Sequence, residues 1–197
     1  MNSIYSEQEL REMGLKSVGK NTKISRKCSI YMPEKISIGD NTRIDDFCCL
    51  VGGEKGINIG SNVHIAHYCL LGGTGGITIK DFAGVSSRTA LYSATDDYLG
   101  SSLTGPTIPK KYLNVTKGEI VLNKHVIIGT NSTVLPNVTI GEGSAVGAHS
   151  LVTKSLAPWG VYVGVPVKRI KDRKKDLLLL EEAFLKEVAE ERLNEKC

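Results

Sequence analysis

From Leu122 to Leu156 the chain repeats in sixes: LNKHVI, IGTNST, VLPNVT, IGEGSA, VGAHSL, VTKSL. Leu122, Ile128, Val134, Ile140, Val146 and Val152 occupy the recurring aliphatic position. Gly129, Gly141 and Gly147 follow three of them. Four places on stand small or β-branched residues: Val126, Ser132, Val138, Ser144 and Ser150. A period of six is neither the 3.6 of a helix nor the 2 of a plain strand. It predicts a short strand and a turn, repeated, which is a solenoid.

The same spacing runs upstream. It begins weakly at Ile24 and Ile30, then continues through Ile38, Ile44, Leu50, through Ile59, Ile65, Leu71, and through Ile79, Val85, Leu91. With the two turns from Leu122 onward, the pattern predicts an all-β solenoid of about five coils. Each coil has three flat faces, and coils stack at about 4.8 Å. Gly-rich bulges interrupt it within Gly52–Asn58 and Gly72–Thr78. A larger break at about 96–119 must leave the coil as a loop, and it carries Pro106, Pro109, Lys110, Lys111 and Tyr112. Long loops in compact domains are uncommon and are usually functional.

The ends break the period. Residues 1–20 read as a helical cap, with Ser6 and Glu9 at capping-box spacing and Gly14 as a stop. The solenoid is assigned to 21–167 and a helix to 168–197. In that helix Leu177, Leu178, Leu180, Leu185 and Val188 form an apolar stripe, and Asp172 caps its start. This last helix is expected to cover its own solenoid or to meet a neighbouring subunit.

Composition narrows the class. An apolar content of 41% is ample for a core. No stretch approaches a membrane span, and MNSIYSEQEL lacks the basic start and apolar run of a leader. A soluble, cytoplasmic protein is expected. The net charge of +4 is too mild to imply nucleic acid. The basic run from Lys168 to Lys175 suits an anion site or a solvated helix start. Five cysteines, an odd count, point to reduced thiols. Cys28, Cys48 and Cys69 each stand four places after a repeat aliphatic, which predicts inward packing.

The segment IGTNSTVLPNVTIGEGSAVGAHSLVTKSL and the closing VGVPVKRI resemble the ending of the hexapeptide-repeat acyltransferases, in the galactoside, maltose and streptogramin acetyltransferase branch. The resemblance covers Ile24 to about Lys171. It implies a left-handed parallel β-helix, a homotrimer, and acetyl-CoA bound in the groove between two solenoids. It implies direct transfer of the acetyl group to a sugar or nucleotide-linked amino sugar, plausible in surface-polysaccharide synthesis. Carried over residue by residue, it assigns Thr130, Ala148, Thr153, Lys154, Lys168 and Lys171 to the cofactor. The two last match basic positions near the CoA phosphates, where positive charge is favoured.

The chain departs from that branch at the catalytic base. Where the relatives carry a His just before the long loop, this chain has Asp96, followed by Asp97. An aspartate is a poor base for a hydroxyl unless burial or a neighbouring anion raises its pKa. His64 falls at a corner matching an acceptor wall, so His64 and Asp96 are the catalytic candidates. His67, Asp97 and His125 are the acceptor-binding candidates; His149 reads as a surface or trimer-contact residue. A free sugar amine attacks without a strong base, so the missing His tilts the expectation toward N-acetylation. No metal site is expected. A γ-type carbonic anhydrase shares the solenoid but needs three converging His ligands. A non-catalytic trimeric scaffold needs neither the long loop nor the Thr-Lys…Pro-x-Lys ending, and the large helical N-terminal domain of serine acetyltransferases is missing.

Overall fold

A computed structural model describes residues 3–194. Its body is a three-sided parallel β-helix. The first face stacks six strands in the order Ser17–Val18, Ile36–Ile38, Ile57–Ile59, Ile77–Ile79, Ile120–Leu122, Val138–Ile140. The second face runs Lys23–Ile24, Arg43–Ile44, His64–Ile65, Gly84–Val85, Ile127–Ile128, Ala145–Val146, then Gly160–Gly164 and Val167–Asp172. The third face stacks Ser29–Tyr31, Cys49–Val51, Leu70–Gly72, Ala90–Tyr92, Thr133–Val134 and Leu151–Val152. Register is fixed because each core aliphatic sits over its counterpart, as in Ile44↔Ile65 and Ile79↔Leu122.

The periodic aliphatics are the core: Ile24, Leu50, Ile65, Leu71, Leu91, Leu122, Ile128 and Val152 are all fully enclosed. Each such side chain contributes about 1.5–3 kcal/mol. The residues four places on face inward too. Ser132, Ser144 and Ser150 are buried, and the first two donate to the carbonyls of Gly147 and Ala157. Cys28, Cys48 and Cys69 do likewise, with thiols on the carbonyls of Asp45, Ala66 and Ser86.

The solenoid is longer than about five coils. Val18, Ile24 and Ile30 form a complete coil before Ile38, and Leu156 and Tyr162 begin another after Val152. We number the coils 1 to 7 from Val18, so that Leu122 opens coil 5. The first coil reads weakly because it has a strand neighbour on one side only, with Val18 and Ile30 half-buried, and the last because a hairpin replaces its third face.

At the N-terminal end, helix α1 (Glu7–Glu12) has the predicted capping box and buries Leu10 over coil 1. At the other end, residues 168–172 are not helical. They belong to Val167–Asp172, a strand antiparallel to Gly160–Gly164. The hairpin prevails over the helical reading because Gly164 (φ +107°) and Pro166 reverse the chain there. Helix α2 spans Leu177–Asn194, so Asp172 does not cap it; instead it pairs with Arg169 at 2.8 Å. Residues 195–197 of the expected helix lie outside the described residues. The long loop leaves coil 4 through an antiparallel pair, Ala94–Thr95 with Thr116–Lys117.

The corners follow one rule. The third residue after each core aliphatic takes the left-handed conformation at the first corner, between the first and second faces. These residues are Asn21, Asn41, Asn62, Phe82, His125, Gly143 and Trp159. At the second corner, between the second and third faces, they are Phe47, Tyr68, Arg88, Asn131 and His149. Asn and Gly suit this conformation; aromatic and long side chains do not.

Candidate active site

The loop base and the third face make a cleft. It is lined by Tyr92, Ala94, Thr95, Asp96, Tyr98, Val115, Thr133 and Leu135. Asp96 is half-buried here and makes no ion pair with any described residue. Thr133 and Leu135 come from coil 5, the coil that carries Thr130. Asp96 therefore opens toward the coil expected to meet the cofactor.

Asp97 is differently placed. One carboxylate oxygen accepts from the Leu99 amide at 2.7 Å, and the other from Ser101 Oγ at 2.6 Å and the Ser102 amide at 2.8 Å. These donors, led by the Ser101 hydroxyl, lower its pKa to about 2. The expected acceptor ligand is thus occupied in fixing the loop. Beyond it, Tyr98 and Leu99 are 89% and 95% exposed.

His64 lies on another face. It is in the strand His64–Ile65, in register with Arg43 and Gly84, not at a corner. The corner residue is Asn62, because the turn falls three residues after Ile59. Asp45, buried beside the strand, accepts from Arg43 Nε at 2.6 Å and approaches His64 Nε2 at 2.8 Å and His67 Nδ1 at 3.6 Å. Burial raises the Asp45 pKa, but Arg43 and His64 outweigh it and hold it below the usual carboxylate range. Within one chain, then, the second face gathers His64 and His67 around Asp45, and the third face carries Asp96.

His125, expected to bind the acceptor, lies at the first corner and is only 8% exposed. Its Nε2 lies 2.7 Å from Glu181 of α2, its ring stacks on Phe82 at 5.3 Å, and Arg173 Nη1 donates to its carbonyl at 2.7 Å. It pins α2 to the solenoid, which closes it to a substrate. His149, at the second corner, meets Asn131 Nδ2 at 3.3 Å.

The cofactor candidates collect at the C-terminal end. Thr130 and Ala148 sit one coil apart on the second corner, with the Thr130 carbonyl accepting from the His149 amide at 2.8 Å. Thr153 and Lys154 are exposed at the end of coil 6. Lys168 and Lys171 are exposed on the terminal hairpin, opposite Val163 and Val161. Among the described residues, no three His, Cys, Asp or Glu side chains are grouped to hold a metal ion. No described helix is long and apolar enough to cross a membrane. Sequence reasoning did not single out Asp45 or the corner residues Phe47, Tyr68 and Arg88. The left-handed corners could have been found from Asn21, Asn41 and Asn62; nothing local marked Asp45.

Comparison with known proteins gives the family. Residues 119–154 match the family "Bacterial transferase hexapeptide (six repeats)". The chain is 48% identical over 178 residues to the dTDP-4-amino-4,6-dideoxy-D-glucose acyltransferase of Escherichia coli, covering 90% of this chain and 93% of that one. It resembles the crystal structure of AntD, an N-acyltransferase from Bacillus cereus, in complex with dTDP and 3-hydroxybutyryl-CoA. That match has a TM-score of 0.92 and 55% identity, over 96% of this chain and 100% of the other. AntD has also been crystallised with dTDP-4-amino-4,6-dideoxyglucose and coenzyme A, and in variants at a serine and at an aspartate ten positions after it.

Proposed function

Because the chain belongs to the hexapeptide-repeat acyltransferases, we propose that it transfers an acyl group from acyl-CoA to the amine of a nucleotide-linked amino sugar. The observation that carries this reading is Asp96, an aspartate where a hydroxyl-directed relative has its histidine base, open in a cleft beside coil 5. Ser86 precedes Asp96 by the same ten positions that separate the two AntD sites.

A free amine needs orientation more than activation. Its lone pair attacks the thioester carbonyl, the carbon–nitrogen bond forms, and the carbon–sulfur bond breaks. The thiolate leaves and takes up a proton; the nitrogen loses one. In this reading Asp96 accepts a hydrogen bond from the sugar amine and receives its proton, directly or through water. Holding the amine against the carbonyl supplies most of the rate. Thr130, Ala148, Thr153, Lys154, Lys168 and Lys171 hold the acyl-CoA. The acyl group is acetyl or a longer chain such as 3-hydroxybutyryl.

The two halves of the site lie on different faces of one chain, and Tyr98 and Leu99 project uncovered from the loop. We take the working enzyme to be a homotrimer in which the third face and loop of one subunit close on the second face of the next. His64, oriented by Asp45, would then face the acceptor from the neighbour. Cytoplasmic localisation fits a soluble donor and acceptor.

The test is free-thiol release with dTDP-4-amino-4,6-dideoxyglucose and either acetyl-CoA or 3-hydroxybutyryl-CoA. The native chain is expected to turn over the amine and not the 4-hydroxy sugar. Asp96→Asn should lower kcat/KM by about 10²-fold or more. Full turnover by that variant would remove Asp96 from the site.

A further inference from the structure

Phe47 and Tyr68 occupy left-handed corner positions, φ +63° at each. The chain uses Asn at Asn21, Asn41, Asn62 and Asn131 for the same backbone turn. Asn satisfies the corner at little cost, whereas a bulky aromatic there is strained by about 1–3 kcal/mol. The fold alone does not call for these side chains.

Their surroundings point to a ligand. The rings stack at 4.9 Å with 16° between planes. Lys27 Nζ caps the Phe47 face at 5.2 Å, and the Arg88 guanidinium caps Tyr68 at 5.8 Å. Phe47 is 48% and Tyr68 53% exposed, and no described segment covers them. Lys27 is held by Asp46 at 2.8 Å. Arg88 is exposed and makes no ion pair with any described residue. The column therefore offers one uncommitted cation in coil 4 and two ring edges in coils 3 and 2.

We propose that this column binds the nucleoside diphosphate arm of the acceptor, with Arg88 on the diphosphate and Tyr68 and Phe47 along the nucleoside. The assignment rests on the amino-sugar reading above. The order of groups supports it: Asp96 follows coil 4, Arg88 belongs to coil 4, and the rings lie progressively farther from the cofactor coils. A sugar, a diphosphate and a nucleoside are linked in that same order. A planar guanidinium suits phosphate oxygens, and the two exposed ring edges offer apolar contact to a pyrimidine nucleoside lying along them.

The test uses dTDP and coenzyme A as separate probes in calorimetry on the full chain. The variants are Arg88→Gln and the double substitution Phe47→Asn with Tyr68→Asn; Asn is compatible with both corners. Each variant should bind dTDP about tenfold more weakly and coenzyme A with unchanged affinity. Thymidine should lose affinity with the double variant but not with Arg88→Gln. Native-like dTDP affinity in both variants would overturn the proposal. So would a loss of oligomeric state with dTDP affinity retained, which would make the column a subunit contact. A native chain that binds no dTDP at millimolar concentration would instead overturn the proposed function.

Discussion

Along the first corner, Phe82 and His125 stack at 5.3 Å, and Phe184 of α2 meets Phe82 edge-on at 6.1 Å. Along the second corner, Phe47 and Tyr68 stack at 4.9 Å and remain half-exposed. Both pairs sit on the same strained backbone turn, three residues after a core aliphatic. At the first corner the strain has a structural return: the aromatic column is the bed on which the C-terminal helix lies. Glu181 completes that contact, with Lys124 on one oxygen and His125 on the other. At the second corner no described segment packs on the rings. A solenoid corner packed under a helix serves the architecture, whereas one left half-exposed stays available to a ligand, and burial separates the two.

The largest expected effect is at the closed corner. Gly143 continues its column at φ +66°, with the Trp159 ring packed where a Cβ would go. Gly143→Ala should cost about 1–3 kcal/mol of stability by overpacking, read as a lowered Tm. An unchanged Tm would mean the column is loose.

The second effect is pH-dependent. Burial raises the Glu181 pKa, but Lys124 and His125 outweigh it and bring it below its ordinary 4.5. A carboxylate with a depressed folded pKa stabilises the fold above its unfolded pKa, and that contribution fades as the pH falls through the folded value. Glu181→Gln should therefore lower Tm near neutrality, and the gap to the native chain should shrink below about pH 4.5. A gap that persists unchanged at pH 3 would show that α2 is held by its apolar contacts alone.

The smallest effect is at the open corner. Tyr68→Asn loses a stacking contact of about 0.5–1.5 kcal/mol and relieves corner strain of similar size. Its Tm should stay close to native while dTDP affinity falls. A large drop in Tm would give the second corner the same architectural role as the first.

Much of the fold was legible because a stacked coil repeats its demands. Ile44, Ile65, Val85, Ile128 and Val146 face one interior in register, so periodicity alone places them, and Ser6 with Glu9 announces its cap locally. The end coils were less legible, since Val18 has a strand neighbour on one side only and the last coil is closed by a hairpin rather than by another hexad. The hairpin at Val167–Asp172 was misread because its Lys and Arg residues look like a helix start until the reversal at Gly164 and Pro166 is seen.

The site divides in the same way. Spacing along the chain was enough to place the aliphatic frame, the exit of the loop after coil 4 and Asp96 at its base. It took the folded chain to show that Asp97 is consumed by the loop, that His125 is sealed under α2, and that Asp45 lies between His64 and His67. It also separated the covered aromatic corner from the open one. These depend on partners far apart in sequence, such as Glu181 over His125. Whether a side chain is free to meet a substrate is fixed by what packs on it from elsewhere, which no local pattern records.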